Sequence, residues 1–220
     1  MFSMSDSEVF REVDEDYRRD RMMAFWRRYG TTVAAAAVVV AIVALGVNYY
    51  LQRQQMEKEA ETARFEALLS GIQPGNEQEA IQKLANYAAS AKPTQATLAM
   101  LTEASLRQRT GNITAAAQVY HQIADGDQAS QDLKDLAVVR LGYIAADSDK
   151  PEPLIPRLQA IADKAGPWRY SAKEAIGLLT AKAGQREQAA KMFADLGQAP
   201  GAPLDLAQRA RALADLYRGK

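Results

Sequence analysis

The chain has 220 residues, 27 basic and 27 acidic side chains, one histidine and no cysteine. The missing thiols exclude disulfides, thiolate zinc sites, iron–sulfur clusters and cysteine nucleophiles. Near-neutral charge argues against a nucleic-acid binder, which needs a basic surface to neutralise phosphates.

Residues 1–30 form a tail in which Arg11, Arg18, Arg19, Arg21, Arg27 and Arg28 stand against seven acids. Ser5-Asp6-Ser7-Glu8 has the form of a capping box. Val9, Phe10, Val13 and Tyr17 follow at helical spacing. Two readings of this tail stand. It is either a short amphipathic helix that meets anionic headgroups or a partner's loop, or a solvated segment whose arginines only set topology.

Residues 31–52 carry no charge and are mostly Ala and Val. About 20 apolar helical residues cross a bilayer, so this segment predicts a single transmembrane helix. A cleaved leader is the competing reading, with Ala44-Leu45-Gly46 as a cleavage site. The apolar run is longer than a signal peptide's, and the leader is long and acidic. Aromatic residues also flank the run as interfacial anchors: Phe25, Trp26 and Tyr29 with Arg27 and Arg28 before it, Tyr49 and Tyr50 after Asn48. A retained anchor is therefore expected. Five arginines precede the span within fifteen residues; Arg53, Lys58 and Arg64 follow it among four glutamates. The positive-inside rule then places the N-terminus in the cytoplasm and the body outside it. Ala37 and Ala41 are one turn apart but read best as part of a generic Ala/Val anchor. Only Gly46 interrupts the helical pattern between Thr31 and Ser70, so the span is expected to continue into the first helix of the body.

From Arg53 onward the chain is rich in Ala, Leu, Gln, Glu and Lys, with apolar residues recurring at three and four and no β-branched runs. The body, 53–220, is predicted all-α. An internal repeat runs through it. Ala80, Ala116, Leu154 and Ala189 fall 36, 38 and 35 residues apart. Twelve residues before them stand Leu68, Ala104, Gly142 and Gly177; five before them, Gly75, Gly111, Asp149 and Gly184. Four after them stand Leu84, Tyr120, Leu158 and Phe193; seven after, Tyr87, Ile123, Ile161 and Leu196. Each unit reads as two antiparallel helices joined by a turn that needs left-handed φ. Small residues mark close helix crossings, and large ones fill the gap to the next unit. Such units stack into a solenoid.

This pattern resembles the tetratricopeptide repeat: a small residue in the first helix, a turn glycine, then alanine, an aromatic and an apolar residue in the second. The second and fourth units match best. The first has Leu68 in place of a small residue. The third has Asp149 in place of Gly, and Pro153 and Pro156 near the start of its second helix, which Pro156 is expected to delay or kink. Residues 202–218 predict a capping helix with Leu206, Ala210, Leu213 and Leu216/Tyr217 facing the last unit.

Catalytic patterns are missing: no HExxH, GxSxG, GxGxxG or P-loop occurs. His121, beside Tyr120, is expected half-exposed on a second helix. Asp125-Gly126-Asp127 reads as a helix-ending turn, since the remaining ligands of a calcium loop are missing. Asn112-Ile113-Thr114 is a formal sequon that reads better as the helix–helix turn. Trp168, after Gly166-Pro167, reads as a packing anchor. The expectation is a non-enzyme without cofactor, metal, nucleic acid or small-molecule substrate. A protein-binding groove lined by the first helix of each pair would include Gln108, Arg109, Tyr143, Glu174 and Lys182.

The full layout resembles the YfgM-type family of ancillary SecYEG translocon subunits: a short tail, an aromatic–basic–Gly motif, one span and a small tetratricopeptide-like domain. The motif here is Phe25-Trp26-Arg27-Arg28-Tyr29-Gly30. The resemblance implies a bacterial inner-membrane protein with a periplasmic body, associated with the Sec translocon and a membrane-anchored periplasmic chaperone. It implies an adaptor or co-chaperone in secreted and envelope protein biogenesis. An accessory or assembly subunit of a respiratory or photosynthetic complex, or an envelope or division scaffold, is the alternative.

Overall fold

The computed structural model describes residues 23, 27–28, 40, 42–56, 59–148 and 153–219. The chain divides into two compact units, Met1–Ala60 and Glu61–Lys220.

In the first unit, residues 42–56 are helical, and Ile42, Val43, Leu45, Val47 and Leu51 are all exposed. Tyr50 and Gln54 join one turn apart, the Gln54 amide donating to the Tyr50 hydroxyl at 2.9 Å. Among the described residues no helix is long and apolar enough to cross a membrane. Of the predicted span, residues 31–39 and 41 lie outside the described residues, as does the amphipathic stretch of the tail. Of the expected interface anchors, Arg27, Arg28, Tyr49 and Tyr50 are helical and exposed, while Phe25, Trp26 and Tyr29 lie outside the described residues. So do Glu57 and Lys58, where the span was expected to run on into the body.

The second unit is a stack of helices: α1 (61–70, within the helical run 59–70), α2 (Glu77–Ala88), α3 (Pro93–Arg109), α4 (Ile113–Asp125), α5 (Gln131–Asp147), α6 (Ile155–Ala162), α7 (Arg169–Lys182), α8 (Arg186–Gly197) and α9 (Leu204–Arg218). They pair as expected, α1/α2 to α7/α8, with α9 closing the end by packing on α8. The second and fourth pairs turn on the same motif. The amide of Gly111 (φ 81°) donates to Gln108 O and that of Asn112 to Arg107 O. Gly184 (φ 85°) and Gln185 do the same with Ala181 and Thr180. This two-bond closure satisfies the last carbonyls of the first helix and needs the left-handed residue that glycine supplies. Asn112 then caps α4 by accepting from the Ala115 amide, which gives the sequon asparagine a structural task. Gly75 (φ 98°) lies in a longer loop instead, pinned by Asn76, whose side chain bonds Gly71 O and the Gln73 amide.

The repeat register has a direct packing meaning. Phe193 is fully buried, and a Cβ on Gly177 would come within 2.8 Å of its ring. Likewise a Cβ on Gly142 would come within 3.0 Å of Leu158 and of Ala175. The large residue of a second helix is therefore seated in the notch that the small residue of its own first helix leaves. This refines the expectation that large residues fill the gap between units: Phe193 does both, since its far face stacks on Tyr217 of α9 at 5.7 Å. Ala80, Ala104, Ala116, Tyr120 and Ala189 are buried at the matching positions. In the first unit Leu68 is half-buried, and Phe65 stacks on Tyr87.

The third pair departs from the rest. Leu154 is buried as the N-cap of α6, Pro156 sits in its first turn, and the helix has only 8 residues. Proline is accommodated there because the first-turn amides have no intrahelical acceptor. With α6 so short, α5 packs more extensively on α7 than on its own partner. Asp149 and Pro151 lie outside the described residues.

The seating of Phe193 is testable. Gly177→Ala is expected to lower stability by about 1–3 kcal/mol, because the added methyl overpacks the contact. Phe193→Leu costs stability alone but should couple favourably with Gly177→Ala in a double-mutant cycle followed by urea unfolding. Strict additivity of the two changes would show that the notch is not the constraint.

Candidate groove on the first helices

Leu136, Val139, Arg140 and Tyr143 recur on α5 at three- and four-residue spacing and so share one face. Ser171, Glu174 and Leu178 do the same on α7, and Arg209 and Leu213 on α9. These faces, with Trp168 at the N-cap of α7, line one groove of about 520 Å³. Three first-position helices meet there because α7 packs on both α5 and α9. Trp168 is half-buried and also packs against the central core, as an anchor would.

The floor of the groove is an ionic cluster. The side chain of Glu174 is 2% exposed. Its Oε1 accepts from Arg209 Nε at 2.6 Å, and its Oε2 accepts from Arg209 Nη2 at 3.0 Å and from the Tyr143 hydroxyl at 2.7 Å. A buried carboxylate is tolerable only when paired and hydrogen-bonded, and the planar guanidinium fork provides both at once. Burial, then donation to Glu174 and the charge of that carboxylate, push the Tyr143 hydroxyl far above its ordinary range. The hydrogen bonds to Glu174 hold the Arg209 guanidinium in its charged form. Tyr143 and Arg209 thus both stay donors to Glu174 across the physiological range. Among the described residues Glu103 on α3 is the other buried carboxylate, bound by Arg107 on the same helix at 2.7 Å.

The residues expected at a groove are distributed over more than one surface. Tyr143 and Glu174 are brought into direct contact. Gln108 instead lines a second groove of about 530 Å³ between α3, α4 and α5, with Ile113, Ala117, His121 and Ile144. Arg109 and Lys182 are exposed at the last residues of α3 and α7, and neither lines the first groove. Leu136, Val139, Arg140, Leu178 and Arg209 were not singled out from the sequence, and Leu213 only as a capping-helix residue facing the last unit. The spacing on α5 could have revealed three of them; Arg209 lies in the capping helix, beyond the four-unit register. His121 is half-exposed on α4, 3.6 Å from Asp125. Asp125 ends α4 and also pairs with Arg157 at 2.9 Å. Among the described residues no three metal-ligating side chains cluster.

The family model for the tetratricopeptide repeat-like domain matches residues 23–209. No curated protein and no solved structure matches the chain.

The ionic cluster predicts an asymmetry between its partners. Arg209→Ala leaves a carboxylate buried without its cation and should cost about 3 kcal/mol or more. Glu174→Gln removes the charge itself and should cost about 1–2 kcal/mol. Urea unfolding of the two variants measures this; equal losses for both would contradict the account.

Proposed function

The chain belongs to the tetratricopeptide repeat-like domain family, and we propose that it is a membrane-anchored, non-enzymatic adaptor or co-chaperone. In this reading it acts at the bacterial inner membrane as a YfgM-type partner of the Sec translocon and of a membrane-anchored periplasmic chaperone. Domains of this family are in general scaffolds for protein interaction rather than catalysts. The observation that carries the reading is the groove on α5, α7 and α9. Its walls are largely apolar, and the buried carboxylate of its floor is hydrogen-bonded by Arg209 and Tyr143, as suits a surface for a protein segment.

Support for the anchor comes from the first unit. Ile42, Val43, Leu45, Val47 and Leu51 are exposed around the helix 42–56. Its first turns, 42–47, are apolar on every side, and such turns need an apolar surrounding, from protein or lipid. The uncharged run 31–52 and the flanking arginines extend the same argument in sequence. The domain division follows: a cytoplasmic tail 1–30, a span 31–52 and a periplasmic body 53–220.

Two experiments check the proposal. Photocrosslinkers at Tyr143 and Leu178 in the groove, and at Tyr50, should trap translocon subunits and envelope chaperones in living cells. Trapping of a single respiratory or photosynthetic complex would replace the co-chaperone role with that of an accessory subunit. Because the chain has no cysteine, an introduced one is a unique label. In cells with a permeabilised outer membrane, an impermeant maleimide should label Gln188→Cys and spare Ser5→Cys. The reverse pattern would invert the topology, and labelling of neither or both would remove the span.

A further inference from the structure

The inference below rests on the groove being a protein-binding surface, and it concerns the chemistry of the segment that enters. Three ionised side chains line the groove: Arg140, Glu174 and Arg209. They are not equally available. Both oxygens of Glu174 are engaged by Arg209 and Tyr143, and the side chain is almost wholly buried. An incoming cation would find no open acceptor there and would meet two guanidinium groups. Arg209 commits Nε and Nη2 to Glu174, yet its side chain is 52% exposed, so its outer edge faces the groove opening. Arg140 is exposed, and among the described residues no carboxylate pairs with it. The Asp205 carboxylate, one turn before Arg209 on α9, acts on the Arg209 guanidinium. The positive charge left to the groove is therefore chiefly that of Arg140, set among Leu136, Val139, Trp168, Leu178 and Leu213.

We propose that this groove receives a segment of a partner protein that carries both apolar side chains and a carboxylate. The apolar side chains fill the leucine, valine and tryptophan walls. The carboxylate pairs with Arg140, and the outer edge of Arg209 adds to the same field. A free anion gains nothing from the apolar walls, and a purely apolar segment leaves Arg140 facing it without a partner. The combination of both features selects an amphipathic acidic segment. The charge at the rim acts mainly on encounter rate and on discrimination between partners, while the walls supply the affinity.

The test uses the full-length chain in nanodiscs, with empty nanodiscs subtracted, and fluorescein-labelled amphipathic peptides read by anisotropy. Three peptides share one leucine pattern and carry Glu, Gln or Lys at the polar positions flanking it. The Glu peptide should bind tightest. Arg140→Glu should weaken it by roughly three- to tenfold and strengthen the Lys peptide by a similar factor. Lys164→Glu, an exposed turn charge that does not line the groove, should change neither. Far-ultraviolet circular dichroism of Arg140→Glu checks that the fold is intact. Binding of the Gln or Lys peptide as tight as that of the Glu peptide overturns the acidic preference and leaves the groove as a protein-binding surface. Binding of none of the three overturns the preference and that reading of the groove together. Equal effects from Arg140→Glu and Lys164→Glu would reduce the preference to net charge and overturn the assignment to this groove.

Discussion

Everything in the second unit depends on how closely two antiparallel helices can approach. Phe193 lies against the backbone of α7 only because position 177 has no side chain, and Leu158 reaches α5 only because position 142 has none. Close-packed interiors leave no slack for an extra methyl at such a point. The crossing fixed by this fit sets the rotation of each helix, and through it the face that each first helix turns outward. Leu136, Val139 and Tyr143 share a groove with Glu174 and Leu178 because the adjoining faces of α5 and α7 are held by Leu158 and Phe193. One large residue against one missing Cβ, in the third and again in the fourth pair, thus determines where the surface chemistry of α5 and α7 is displayed.

Within that frame the unusual component is a carboxylate in the interior. Glu174 contributes nothing to apolar burial, and its desolvation is offset only by Arg209 and Tyr143. Those partners come from different helices, 31 and 35 residues away in sequence. The cluster therefore specifies how α5, α7 and α9 fit together in a way that alanine and leucine contacts, which tolerate small slips, do not. Its geometry also leaves Arg209 half in solvent, so a structural contact and a surface charge share one side chain.

The repeat was legible in sequence because it is carried by residue size at fixed spacing. Ala116, Tyr120 and Ile123, and Ala189, Phe193 and Leu196, are buried as their spacing required. Gly111 and Gly184 were legible because a left-handed turn residue has few substitutes. The delayed start of α6 followed from Pro156. Other features had no such signature. The pairing of Glu174 with Arg209 joins a repeat to the capping helix, outside any periodic register. Arg109 and Lys182 end their helices and do not line the groove on α5, α7 and α9; a shift of one residue turns a helical side chain by about 100°. Gly75 matched the turn position, yet Asn76 folds the surrounding residues into a longer loop that spacing does not foretell.

The place of α9 alters what the end of this chain means. In a repeat array the terminal helix usually shields the last apolar face from water and can be exchanged for another polar-backed helix. Here α9 also supplies Arg209 to a buried anion and Leu213 to a groove wall. Whatever occupies the groove and whatever loosens α9 must then influence each other by the same free energy in both directions. The cap of the stack is at the same time one wall of the groove, so fraying of α9 and the emptying of that groove are two views of one equilibrium.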